Sequence, residues 1–195
     1  MSGVLDTGPR LPPPKRIWLV GNSASGKSTF GRRLAAALSL PYIELDALNH
    51  QPNWTELSPD ELREAIVGAL DGAPDGWVVD GNYVGKVGTV VADRAEAVVW
   101  FDLPRRVVMR QVVTRSFARA WTREELWNGN RERWSALLHP DPRRSIIAWA
   151  WTEHASYHQR YVDLSDQRRD LRWLRIQTLA DREIALNTLT RPHST

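Results

Sequence analysis

GNSASGKST, residues 21–29, follows an apolar run, RIWLV (16–20), and precedes FGRRLAAAL (30–38), whose Phe30, Leu34 and Leu38 fall on one helical face. A strand, a turn bracketed by glycines and a helix let successive backbone N–H groups face inward around a phosphate, aided by the positive end of the helix. Gly21 to Ser28 fit G-x-x-x-x-G-K-[ST] at every position. Gly21, Asn22, Ser23, Ala24, Ser25, Gly26, Lys27, Ser28 and Thr29 are therefore read as a cradle for the phosphates of ATP. Lys27 is expected to reach the β and γ oxygens, and the Ser28 hydroxyl to ligate Mg2+. The chain contains no Asn-Lys-x-Asp stretch of the kind with which GTPases read their base.

Outward from this turn, strands and helices alternate. PYIEL (41–45) reads as a strand ending at Asp46. SPDELREAIVGAL (58–70) opens a helix with Ser58 at the N-cap, Pro59 at the first helical position and Glu61 closing a capping box. GWVVD (76–80) and AVVWFD (97–102) are strands, and PRRVVMRQVVTRSFARAW (104–121) is a long basic amphipathic helix. The pattern breaks around Asn128-Gly129-Asn130; a helix over 144–161, a strand at LRWLRIQ (171–177) and a helix at ADREIALNTL (180–189) follow. The alternation predicts an α/β fold: a five-stranded, doubly wound parallel sheet between two helical layers, in one domain from residue 16 to 195. Residues 1–15, with four Pro and two Gly, read as a flexible lead-in.

Composition narrows the function classes. A chain of 195 residues, 42% hydrophobic, is long enough for a full core. No apolar run approaches the roughly 20 residues of a spanning helix, and MSGVLDTGPRLPPPKR has no signal-peptide pattern. With no cysteine, disulfides, thiolate metal sites and cysteine nucleophiles are excluded, which fits a cytoplasmic location. Residues 1–103 carry 9 basic and 13 acidic side chains, whereas 104–175 carry 15 basic and 8 acidic, every basic one an Arg. Arginine suits bidentate phosphate recognition, although the chain favours it throughout, with 23 Arg to three Lys. Most of the ten Trp are expected in the core.

In parallel sheets, ligands bind beyond the carboxyl ends of the strands, and Asp46, Asp80 and Asp102 stand there. Asp46 is placed to accept a proton or hydrogen bond from a substrate hydroxyl, or to cap the following turn. Asp80, before Gly81, is placed to hold the Mg2+ water shell. Asp102 is as suited to capping a helix as to a metal. His154 and His158, four apart on a helix, lack a third ligand and read as surface or packing residues.

GNSASGKST, LDALNHQPNW (45–54), WVVDGNY (77–83) and VVWFDLPRRVVMRQVVTR (98–115) together resemble the adenylate-kinase-like P-loop kinases, and most of all the branch known as DNA topology modulation proteins. The likeness spans residues 16 to about 189. It implies a three-layer P-loop NTPase sandwich of the nucleoside-monophosphate-kinase kind, with a short Arg-rich lid at about 117–143. It places Asp46, Trp54, Gly81, Asn82 and Tyr83 around a phosphoryl acceptor, and Arg110 and Arg115 near the phosphates. Arg119, Arg123, Arg131 or Arg133 would come from the lid, with Arg131 taken as the catalytic one. Adenylate kinases carry Asp-Gly-Phe-Pro-Arg after the third strand, and the Arg that helps clamp AMP is missing from Asp80-Gly81-Asn82-Tyr83. Glu44-Leu45-Asp46 also resembles the acidic pair of shikimate kinases, without the rest of that signature.

The expectation is ATP- and Mg2+-dependent phosphoryl transfer to a small-molecule or nucleotide acceptor, with Lys27, Asp46, Arg110, Arg115 and Arg131 catalytic. The alternatives are a nucleic-acid-associated regulatory ATPase, using the Arg-rich block and Trp residues to bind DNA or RNA, and a nucleotide-binding protein without transfer. No nucleic-acid module appears outside the kinase-like pattern.

Overall fold

The computed structural model describes residues 12–131, 134, 141 and 145–191. The expectations for residues 1–11, for Arg133 and for the parts of the lid at 132–133, 135–140 and 142–144 lie outside the described residues.

Five parallel strands form the central sheet: β1 (Arg16–Gly21), β2 (Tyr42–Glu44), β5 (Trp77–Asp80), β6 (Ala97–Phe101) and β7 (Arg172–Ile176). Their order is β2-β5-β1-β6-β7. Strand β1, which leads into the phosphate turn, lies in the middle, with Leu19 opposite Asp80 of β5 and Gly21 opposite Phe101 of β6. Its apolar run is unbroken because both faces are covered. Ile17 and Leu19 pack with α1 (Lys27–Leu38), α5 (Arg105–Thr122) and α7 (Ala180–Thr190), through Phe30, Leu34, Val108, Val112, Ala185 and Leu189. Trp18 and Val20 pack on the other face with Leu62 and Ile66 of α3 (Pro59–Asp71) and with Tyr161 of α6 (Ile146–Gln167). Trp18, Trp77 and Trp100, on the central strands, are buried, whereas Trp54, Trp121, Trp134 and Trp151 are exposed, so the expectation that most Trp lie in the core is not met.

The capping box on α3 is complete: the Glu61 N–H donates to Ser58 Oγ at 3.3 Å, and the Ser58 N–H to Glu61 Oε2 at 2.8 Å. Helix α6 runs to Gln167, six residues beyond the predicted end, because Leu164 still packs on the sheet. The largest departure lies in residues 45–57. Strand β2 ends at Glu44, and Leu45 turns its fully buried side chain into a five-residue helix, α2 (Leu45–Asn49). The predicted loop then forms a two-strand antiparallel ribbon, β3 (His50–Gln51) and β4 (Thr55–Glu56), around a 3-10 turn at Pro52–Trp54. A short α4 (Val84–Val87), absent from the sequence reading, follows β5.

Candidate active site

The phosphate turn joins the end of β1 to α1. Gly26 precedes the helix at φ 88° and provides no side-chain cap, so the first amides of α1 face the adjoining cavity without a competing acceptor from the cap residue. Lys27 is 8% exposed, and its ammonium donates to the carbonyls of Gly21 (2.8 Å) and Asn22 (2.9 Å). Burial lowers its pKa, an effect partly offset by the Asp80 carboxylate. Ser23 Oγ accepts from Arg115 Nη2 at 2.9 Å, and Arg182, at the start of α7, donates to the Ser25 carbonyl at 2.7 Å. Arg182 escapes sequence reasoning because it lies 157 residues from its partner, and nothing in ADREIALNTL marks it.

Ser28 and Asp80 meet. The Ser28 hydroxyl donates to Asp80 Oδ2 at 2.9 Å, and the Tyr42 hydroxyl donates to the same oxygen at 2.8 Å. Asp80 is 4% exposed; burial pushes its carboxyl up, while the Lys27 charge and the two hydroxyls pull it down. A hydroxyl beside a buried carboxylate at the foot of a phosphate turn is a hard-oxygen pair that fits Mg2+ with a nucleotide and water as its other ligands. Among the described residues, no group of three or more His, Asp or Glu forms a separate metal cage.

Across the cavity, Asp46 lies in the first turn of α2 rather than at a strand end, and its Oδ1 accepts from the Tyr83 hydroxyl at 2.8 Å. Burial, and then the Asp46 charge, push the Tyr83 phenol well above its ordinary range, so it stays a donor. Glu44 stands nearby with its carboxyl pushed up by burial, against the pull of the Trp127 side chain and Arg32. Trp54 packs edge-on against His50 and Trp127 in an aromatic wall. Gly81 brings the chain over Leu45, and its carbonyl accepts from Trp18 Nε1 at 3.0 Å. The side-chain amide of Asn82 is engaged on the other side of the site, with the backbone of Gly21.

One cavity of about 1780 Å³ is lined by Lys27, Ser28, Asp46, Asp80, Tyr83 and Trp54. Helix α5 adds Arg106, Arg110, Arg115 and Arg119 to its wall. Arg131 also lines it, with its guanidinium 3.3 Å from Glu125 across a short antiparallel bridge. Residues 127–131 dock on the ribbon. Asn128 Nδ2 donates to the His50 carbonyl at 2.6 Å. Asn130 accepts from the Trp54 N–H at 2.8 Å and donates to the Gln51 carbonyl at 2.9 Å. Asp102 does not cap α5, whose N-cap is Pro104; it receives hydrogen bonds from His158 Nδ1 at 2.8 Å and from the Arg175 guanidinium. His154 reaches the Leu103 carbonyl at 3.0 Å, so the two histidines serve the end of β6 separately.

No protein-family model and no curated protein matches the chain. Among solved structures, shikimate kinase from Bacteroides thetaiotaomicron is similar at 14% identity and a TM-score of 0.54, over 90% of this chain and 96% of that one. A gluconokinase from Sinorhizobium meliloti 1021 overlaps 78% of this chain and 99% of its own at 23% identity, with a TM-score of 0.41. The first likeness shows that this chain shares the fold of that kinase. It agrees with the five-stranded parallel α/β sandwich read from the sequence.

Proposed function

We propose that the protein is an ATP- and Mg2+-dependent kinase that phosphorylates a hydroxyl of a small molecule or nucleotide. The observation that carries this reading is a cavity lined by both the Lys27–Ser28 turn and the Asp46–Tyr83 pair, with α5 arginines along its wall. The acceptor oxygen attacks the γ-phosphorus, the bond from that phosphorus to the β–γ bridging oxygen breaks, and ADP leaves. Asp46 takes the acceptor proton. Tyr83 orients Asp46 by donating its hydroxyl to Oδ1, leaving the other oxygen for the acceptor. Lys27, Arg110, Arg115 and Arg131 offset the charge on the transferring group, so catalysis is mostly positioning and electrostatics. Mg2+, held by Ser28 with Asp80 behind it, would neutralise phosphate charge. Trp54 and Gly81 would bound the acceptor. The likeness to the DNA topology modulation branch rests on sequence motifs, of which LDALNHQPNW and WVVDGNY are the more specific.

A coupled assay of ADP release over nucleosides, nucleoside monophosphates and hydroxy acids, beside a buffer blank, tests the reading. One acceptor class should accelerate release, and Lys27→Ala should slow it by orders of magnitude in a folded protein. Unchanged turnover in Lys27→Ala sinks the kinase. Release that ignores every acceptor but rises with added DNA would favour the regulatory ATPase instead.

A further inference from the structure

Gly21 is the last residue of β1 and the first of the phosphate turn. On the β6 side its strand pairing continues, with Gly21 opposite Phe101. On the β5 side pairing ends at Leu19 and Asp80, where the Gly81 N–H reaches the Leu19 carbonyl at 3.2 Å. The chain then turns away, and the Asn82 side chain stands in for the next rung. Its Nδ2 donates to the Gly21 carbonyl at 2.6 Å, and its Oδ1 accepts from the Gly21 N–H at 2.8 Å. A side-chain amide has the same donor and acceptor as a peptide, so one residue satisfies both groups. The orientation is fixed, because a peptide N–H can only donate and a carbonyl only accept. The hydroxyl of Tyr161, a fully buried residue of α6, donates to the same Oδ1 at 2.9 Å.

The Gly21 carbonyl thus accepts from two groups, Asn82 Nδ2 and Lys27 Nζ. We propose that Asn82 is a positioning residue for Lys27, holding the Gly21 carbonyl so that the ammonium can leave it for the phosphates of a bound nucleoside triphosphate. This rests on the nucleotide-binding half of the kinase reading. When the ammonium moves, the Gly21 carbonyl keeps its amide donor. Without Asn82, the same movement strips a buried carbonyl of both donors, and nucleotide binding must bear that cost. Asn82 therefore belongs to the donor half of the site, although it sits beside Tyr83 in the chain.

Calorimetric titration with Mg2+ and ATP of four proteins tests this: the parent, Asn82→Ala, Lys27→Ala and the double variant. Asn82→Ala should weaken binding roughly tenfold in the parent, and by less than about twofold in the Lys27→Ala background. Equal losses in both backgrounds would mean that Asn82 only props the turn, and would overturn the proposal. Should Asn82→Ala fail to fold, Tyr161→Phe decides. It keeps the ring and removes the hydroxyl that holds the amide. It should weaken binding by a smaller factor and only when Lys27 is present; a loss independent of Lys27 overturns the proposal. A parent protein that does not bind the nucleotide would sink the nucleotide reading itself, an outcome distinct from equal losses in the two backgrounds.

Discussion

Glu44 ends β2 with its carboxyl pushed up chiefly by burial, so folding favours its protonated form. A carboxyl raised in the folded state contributes stability below its unfolded value and loses it as pH climbs through the folded one. Glu44→Gln should therefore gain on the parent as pH rises from about 4.5 toward neutrality, read as a widening difference in urea midpoint. A constant difference would contradict the burial account. Gly21 gives a steric case. It has φ 124°, and a Cβ there would lie 2.3 Å from the Phe101 carbonyl oxygen, part of a strand that cannot give way. Gly21→Ala should cost on the order of 3 kcal/mol in a urea titration. Lys27, Ser28 and Asp80 were legible because the turn motif and the strand ends mark them. The partner of Asn82 was not, because a contact 61 residues away leaves no trace in the local pattern. The Tyr42 hydroxyl on Asp80 was hidden for the same reason, with 38 residues between them.

Helix α3 shows how far local chemistry reaches. Its start was readable to the residue because cap, proline and capping box all lie within four positions. Ser58→Ala should lower stability by about 1 kcal/mol. ADP release should not change, since no α3 residue lines the cavity; a fall in turnover matching the loss of stability would refute that separation. Residues 45–56 show the opposite. Strands of two residues have no alternation to read, and Asn53 and Trp54 adopt positive φ, of 62° and 59°, without a glycine to announce it. The ribbon is held from outside, by Asn128 and Asn130 docking on His50, Gln51 and Trp54. Its shape is a tertiary property, and so is that of the proposed acceptor side.

Over the whole molecule, arginines gather along one element of the cavity. Arg106, Arg110, Arg115 and Arg119 line the cavity from α5, and Glu44, Asp46 and Asp80 line it too, with Arg32 bonded to Glu44 and Lys27 beside Asp80. The excess of Arg in residues 104–175 was visible in the sequence, and α5 brings four of those residues to the cavity. Lining the proposed nucleotide site, these four cations should make nucleotide binding salt-sensitive. The KM for ATP is expected to rise several-fold between about 50 and 300 mM KCl; a flat profile would show that these arginines do not face the phosphates. The sheet class was readable from alternating strands and helices, but the order β2-β5-β1-β6-β7 was not, because pairing partners are set by packing on both faces.

The turn after β5 commits neighbouring residues to opposite tasks, Asn82 to Gly21 and Tyr83 to Asp46. For protein engineering, this makes Gly81–Tyr83 a poor place to redesign substrate preference, since a change there disturbs both halves of the site at once. The ribbon and its aromatic wall touch the cavity without bonding to the phosphate turn, so a library over residues 47–56 is the better starting point for a new acceptor.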